Sequence, residues 1–424
     1  MVELTPQKKT VLGLQHMVAM FGATILVPLI TGLNPSVALI SAGVGTLLFH
    51  VVTGFGVPVF LGSSFAFIPP ILLAQTKGYD FASIGGGIMA AGVVYLIVAG
   101  IVWVLPNGSQ QIRALFPPIV TGPVITVIGL TLAPIALGQA SGLAGSDRVM
   151  EEGTAWLIAV VTLLAVIAAA IYFKGLFKML PILTGFIVGY AFAMIIGEVN
   201  YDNLSSADWF AWPDFTLGNF DWNVIWIVAP VAFVTMIEHV GDILTNGRVV
   251  GKDFFDEPGL NRTLMGDGLA TLFAGFIGGP ANTTYSENTG VLAVTKVYDP
   301  MVLRIAAGFA ILLGFIPKFG GLLQTVPGAV LGGLSIVLFG MIASIGIRVM
   351  TDAQVDFKQS RNLIVVALIL VFGLGYSGLE SPLQIGDVSI SGLALAAVVG
   401  VVVNLILPKL TDEGEDVLVT DSVN

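Results

Sequence analysis

Long apolar runs separated by short polar breaks organise this chain. The first run covers about 11–30, with Gln15 and His16 near its start, and a second follows Pro35 and ends near His50. The third, GFGVPVFLGSSFAFIPPILLA, is interrupted by Gly, Pro and two serines; Val57–Leu61 has β character, and a helix is expected to begin at the serines. Further runs lie near 81–105, from 116 onward (FPPIVTGPVITVIGLTL), 154–173 and 179–197. Residues 198–221 carry Glu198, Asp202, Asp208, Asp214 and Asp221 with Trp209 and Trp212 and no Lys or Arg, so they read as a midpoint loop. Beyond it, runs near 222–245, 263–278, 284–297, 300–317, 326–347, 362–378 and 389–407 bring the total to about fourteen. Several are too short to cross a bilayer unaided.

The stretch GGPANTTYSENTGVLAVTK, residues 278–296, departs most from this pattern. A helix broken at membrane depth leaves backbone N–H and C=O groups needing partners, which is tolerated only in a protein interior or along a cavity. Glu287 follows the break, where a helix restarts, and an intramembrane carboxylate marks a functional site by default. Thr284 and Glu287 also fit a capping box, which alone would account for the acid. Free N–H groups at the helix start beside an acceptor suit a flat polar ligand with alternating N–H and C=O groups. In VAFVTMIEHVGDIL, Glu238 and Asp242 are four apart on one helical face, with His239 between them. Two carboxylates facing a dry cavity cannot cheaply both be ionised, which makes them candidates for proton coupling. The plainer alternative sends Asp242 and His239 to the cytoplasmic interface near Arg248. Asp267, flanked by glycines in RTLMGDGLATL, is a further coupling candidate or a structural acceptor. His50 and Arg304 are expected at interfaces.

The two halves echo one another. Gly62-Ser63-Ser64-Phe65 resembles Asn282-Thr283-Thr284-Tyr285, Gln15-His16 resembles Glu238-His239, and Pro117 with Gly122 resembles Pro327 with Gly332. The offsets are similar and the order is the same. Seven spans per half make such repeats inverted, and paired broken segments in inverted halves point to a secondary transporter with its site between the breaks. Phe65 and Tyr285 then flank the cavity, and Ala23, in MFGATILVP, permits close approach.

Composition agrees: 56% hydrophobic and 10% charged residues over 424 indicate a polytopic α-helical membrane protein. No cysteine is present, so thiolate chemistry is excluded. The opening MVELTPQKKT is polar and leads straight into a long span, so no cleavable signal peptide is expected. With the N-terminus inside, fourteen of seventeen Lys and Arg fall on the cytoplasmic side, leaving only Lys77, Arg148 and Lys318 outside. That asymmetry predicts a multi-pass protein of the cytoplasmic membrane with both termini cytoplasmic.

Glu287-Asn288-Thr289-Gly290 running to Thr295-Lys296 resembles the signature of the nucleobase–ascorbate transporter family, and QHMVAMFGATILVP, LGSSFAF, EHVGD and residues 258–268 are similar to it in the same order. The likeness spans nearly the whole chain, and bacterial uracil permeases are its nearest branch. The resemblance implies fourteen spans in two inverted seven-span repeats, with short antiparallel strands in spans 3 and 10. It implies a core domain from 1–105 and 222–320, a gate domain from 106–221 and 321–408, and a cytoplasmic tail over 409–424. It further implies an elevator-like symporter, often a homodimer, without a bound cofactor and with proton or sodium as co-substrate. Glu238 and Glu287 would hydrogen-bond the base, Phe65 would stack on it, the Ala23 and Ser286 backbones would line the site, and Asn288 would support it. Two positions depart from the uracil pattern: Asp242 stands for a His and Ser286 for a Gly. Asp242 and Asp267 are acids found in purine-transporting members, but those usually carry Gln in place of Glu287. Uracil is therefore expected ahead of xanthine or urate, with no nucleic-acid partner. An anion channel or exchanger of related architecture is the reading from another class. It expects a cation at the break, and neither GSSFAF nor NTTYSE contains one. A membrane enzyme finds no supporting motif.

Overall fold

The computed structural model describes residues 5–174, 178, 180–377, 383–385 and 388–408. The first half comprises α1 (Pro6–Thr31), α2 (Pro35–Val52), β1 (Leu61–Ser63), α3 (Ile68–Thr76), α4 (Phe81–Val104), α5 (Gly108–Leu115), α6 (Pro118–Thr131), α7 (Ala133–Ala140), the hairpin β2 (Leu143–Ala144) and β3 (Asp147–Arg148), α8 (Glu152–Ile171) and α9 (Pro181–Ile195). The second comprises α10 (Asp202–Ser206), α11 (Trp222–Val228), α12 (Val231–Val250), α13 (Leu260–Ile277), β4 (Asn282–Thr284), α14 (Ser286–Thr295), α15 (Pro300–Gly314), α16 (Pro317–Gln324), α17 (Gly328–Asp352), α18 (Ser360–Ser377), the hairpin β5 (Leu383–Ile385) and β6 (Val388–Ile390), and α19 (Gly392–Ile406). The tail over 409–424 lies outside the described residues. Among those described, seven helices are long and apolar enough to cross a membrane, or eight if α15 and α16, bent by 82°, count as one span.

The architecture follows from what apolar helices can and cannot satisfy alone. Prolines open many of them, since the first turn needs no N–H there. α4 packs along α13 as α15 packs along α2, and α6 packs along α17. Small residues permit these approaches: a Cβ on Gly92 would meet the α13 backbone at 2.6 Å.

Between the helices, β1 and β4 form an antiparallel pair with Leu61 opposite Thr284, Gly62 opposite Thr283 and Ser63 opposite Asn282. Pairing continues at both ends, Ser64 N to Ala281 O at 2.8 Å and Tyr285 N to Phe60 O at 3.0 Å. The ladder begins at Leu61 instead of Val57, because Pro58 has no N–H to donate. A 3₁₀ turn over Phe65–Phe67 intervenes before α3, so the helix also starts later than the serines suggest. Gly278, at φ 80, ends α13 and lets the chain turn into the second strand. Gly62 leaves room for Tyr285, whose ring would lie 2.5 Å from a Cβ there.

An isolated ribbon has unpaired outer edges, and here side chains of the surrounding helices fill them. The Thr46 hydroxyl of α2 accepts from Leu61 N at 2.9 Å and bonds Leu61 O at 3.3 Å. His50 Nε2 lies 2.8 Å from Val59 O, so His50 is fully buried and not interfacial. Asn246 Nδ2 of α12 donates to Pro58 O at 3.1 Å, and Thr271 of α13 donates to Asn282 O at 2.8 Å. Arg304 lies 4.8 Å over the Phe55 ring.

At the opposite end from α1's N-terminus, residues 198–221 lie against the ends of neighbouring spans. Gly218 N donates to Phe276 O, Asn219 N to Ala82 O, and Lys318 Nζ to Ala207 O. Trp212 packs edge-on against Phe315 at 5.3 Å.

Replacing Thr46 with Val keeps the side-chain shape but strips the Leu61 peptide of its partner. Thr46→Val should lower stability by about 1–3 kcal/mol, the cost of an unsatisfied buried polar group. Thermal unfolding in detergent checks this, with Thr10→Val, at an exposed hydroxyl, as the reference expected to change little.

Candidate functional site

Helix α12 and the second break build the site. Asp242 turns inward to the break, where Ser286 Oγ donates to Oδ1 and Thr284 Oγ1 donates to Oδ2 at 3.1 Å. Those hydroxyls replace the water that an interfacial carboxylate would use, so the alternative placing Asp242 at the cytoplasmic interface does not hold. His239 faces away from it: its Nδ1 lies 2.9 Å from Asp267 Oδ2, and both side chains are fully buried. That pair joins α12 to α13. Glu238 is one turn deeper than Asp242, and its Oε2 is buried without a hydrogen-bond partner among the described residues.

Glu287 is the second residue of α14, which starts at Ser286 after the N-cap Tyr285, whose side chain makes no capping hydrogen bond. The expected capping box is therefore not formed. Thr284 is engaged by Asp242 instead, and Glu287 is left free of that task. Next to it, Asn288 Nδ2 donates to His16 O at 3.0 Å and lies 3.1 Å from His16 Nδ1, tying α14 to α1. Asn246 binds Thr289 Oγ1 at 3.0 Å from the α12 side. The first turn of α14 is thus held on both flanks, with Glu287 between them.

A cleft of about 290 Å³ opens beside this turn. Gly22 of α1, Pro181 at the start of α9, Glu287 and Gly290 of α14 and Leu338 of α17 line it, together with Lys178. Glu287 is the one carboxylate in its wall among the described residues. Of the other substrate-site candidates, Ser286 and Asn288 flank Glu287, and Ala23 follows Gly22 but is buried. Phe65 does not reach the cleft: it is buried and packs edge-on against Phe339, with ring centroids 5.7 Å apart. Tyr285 serves the ribbon: its hydroxyl donates to Ser63 O at 2.8 Å and receives Thr24 Oγ1 at 3.3 Å. Thr24 and Asn246 did not stand out in the sequence. Their signal was a hydroxyl or amide inside an apolar run, one that serves ordinary helix packing equally well.

The family model Xan_ur_permease, described as Permease family, matches residues 7–380. The chain is 45% identical to "Uracil permease" of Bacillus caldolyticus, over 96% of this chain and 93% of that one. It is 43% identical to "Uracil permease" of Bacillus subtilis (97% and 95% covered) and 39% identical to that of Escherichia coli K12 (96% and 94%). Among solved structures, the transmembrane domain of a cyanobacterium bicarbonate transporter, BicA, is similar with TM-score 0.63 at 14% identity, covering 94% of this chain and 98% of that one. The murine anion transporter Slc26a9 in its inward-facing state is similar with TM-score 0.67 at 12% identity, covering 96% and 68%. At such identities these two show the fold alone.

Removing the Ser286 hydroxyl takes one donor from the partly buried Asp242. Ser286→Ala should cost about 1.5–3 kcal/mol, the range for hydrogen bonds to charged groups. Unfolding in detergent reads it, against Ser344→Ala, whose hydroxyl bonds only an exposed carbonyl of its own helix.

Proposed function

Because the chain belongs to the permease family whose model matches it over residues 7–380, we propose that it carries a nucleobase, uracil ahead of xanthine or urate, into the cell together with a proton. The observation that carries this reading is the cleft ending on Glu287 at the broken, hydroxyl-lined start of α14. Its volume of about 290 Å³ is at the small end for ligand sites, which run from about 300 to 1,000 Å³. Such a space suits a single heterocyclic ring. Glu287 as acceptor and the first-turn N–H groups of α14 as donors match the alternating N–H and C=O edge of uracil. Glu287 accepts from a ring N–H, where an amide would also present a donor. The relatives named uracil permease favour the same substrate.

Proton coupling follows from crowding. Glu238, Asp242 and Glu287 share one interior, and like charges there are relieved by a bound proton. The hydroxyls on Asp242 give it donors, while Glu238 Oε2 has none among the described residues. Glu238 and Glu287 are therefore the preferred carriers, with the His239–Asp267 pair behind them.

The fourteen segments form two inverted repeats of seven in this reading, and both termini are cytoplasmic. The paired breaks, and the packing of α4 on α13 mirrored by α15 on α2, support the repeats. Residues 1–105 with 222–320 form a core that moves as an elevator against a gate of 106–221 with 321–408, in a homodimer. The Phe65–Phe339 contact then lies between core and gate, and its opening would bring Phe65 to the base. Sodium in place of the proton remains the alternative ion. The anion-exchanger reading, which the fold neighbours raise, gains nothing from the breaks: residues 62–67 and 282–287 contain no Lys or Arg.

Proteoliposomes with an inward proton gradient should accumulate labelled uracil, and an uncoupler should stop it. Unlabelled xanthine should compete more weakly than unlabelled uracil. Glu238→Gln and Glu287→Gln should each abolish accumulation while the purified proteins keep the wild-type melting temperature within a few degrees. Near-normal uptake by both variants, or uptake indifferent to the gradient, contradicts the assignment.

A further inference from the structure

A second concavity, of about 660 Å³, lies on the side of the molecule, away from the cleft. One wall is α4, which contributes Gly86 and the residues 3, 4, 7, 8 and 11 positions further on, ending at Ile97. The other is α11 with the start of α12, which contributes Trp222 and the residues at the same five offsets, ending at Phe233. Each wall is thus one helical face followed for three turns. Both run in the same direction from the end of the molecule that carries residues 198–221.

The trench is shaped by residue size. Ala90 and Ala229 make it deep, while Ile97, Trp226 and Phe233 stand proud on its rim, 41–57% exposed. Eleven residues of helix rise about 16–17 Å. Half of a hydrocarbon core of about 30 Å is 15 Å. The trench therefore extends across one leaflet and stops near the midplane. Among the described residues, no ionisable side chain lines it. Its polar groups gather at one end, at Gly218 and Asn219, beside Phe220 and Trp222. Aromatic residues of this kind belong at the level of the lipid headgroups.

We propose that this trench is a binding site for one acyl chain of a phospholipid, inserted with its headgroup beside Asn219 and its methyl end at Ile97 and Phe233. Under the topology proposed above the lipid belongs to the outer leaflet; the site itself does not depend on which substrate is carried. Length, apolar lining and a polar aromatic mouth select a single extended hydrocarbon chain. A protein partner would gain little there, since lipid already covers apolar surface without a hydrophobic driving force for association. The floor at Ala229 and Pro230 is the joint between α11 and α12, about two turns before Glu238. A chain in the trench packs against that joint and holds α12, with its acids, to α4.

A phosphatidylethanolamine carrying a diazirine near the middle of one acyl chain tests this in proteoliposomes of the full chain. Photolysis should label α4 between Met89 and Ile97 and the segment 225–233, and peptide mapping should find these above the lipid-facing surface of α8 around Leu157 and Leu164, which are exposed without a trench. Ala90→Phe, which fills the trench, should reduce labelling there to the α8 level. The melting temperature of that variant should no longer rise when lipid is added back to detergent-purified protein. Labelling equal at both surfaces in the wild type overturns the proposal. So does a disulfide between two copies of Val93→Cys in the membrane, which would show a second molecule covering the trench. Uracil uptake by the wild type is read separately, so a failed substrate assignment leaves this outcome interpretable.

Discussion

The structure depends on one constraint: a two-stranded ribbon in an apolar interior must find hydrogen-bond partners for its outer edges. Thr46, His50, Asn246 and Thr271 supply them from three different helices. Asn282 adds to these by donating back to Ser41 O at 2.9 Å. Each such group would cost about 1–3 kcal/mol if stranded. The ribbon is therefore the hub to which α2, α12 and α13 are fastened.

The acids follow from the same geometry. The break exposes Thr284 and Ser286 hydroxyls at the point where α12 passes, and Asp242 takes both. The break delays the start of α14 to Ser286, so that Glu287 occupies its first turn and faces the cleft. The two positions that depart from the uracil pattern, Asp242 and Ser286, are thus hydrogen-bonded to each other. A hydroxyl at 286 supplies what a carboxylate at 242 requires, and a glycine there would leave that oxygen bare.

Much of this was legible beforehand, for identifiable reasons. Gly-Gly-Pro and the polar run at 278–288 cannot continue a membrane helix, so the second break and Glu287 announce themselves. The i, i+4 spacing of Glu238 and Asp242 fixes their common face. What the sequence left ambiguous was direction. Nothing in VAFVTMIEHVGDIL says that His239 turns to Asp267 while Asp242 turns to the break; that depends on which helices flank α12. Tyr285 and Phe65 look equivalent in the repeat, yet one is bonded into the ribbon and the other packs on Phe339. The capping-box spacing at Thr284 and Glu287 was matched by chance, because Asp242 captures the threonine first. His50, near the end of its apolar run, looked interfacial until the neighbouring extended segment folded back over it.

The fastening of the ribbon also constrains how a cargo site here can be exposed first to one side and then to the other. Thr24 and His16 hold α1 to the strands and to α14, Thr46 holds α2, Asn246 holds α12 and Thr271 holds α13. Any hinge among these four helices would open several dry hydrogen bonds at once, with no water at that depth to replace them. A holder stitched this way keeps its shape, so under the alternating exposure proposed above the compliance would reside at its perimeter.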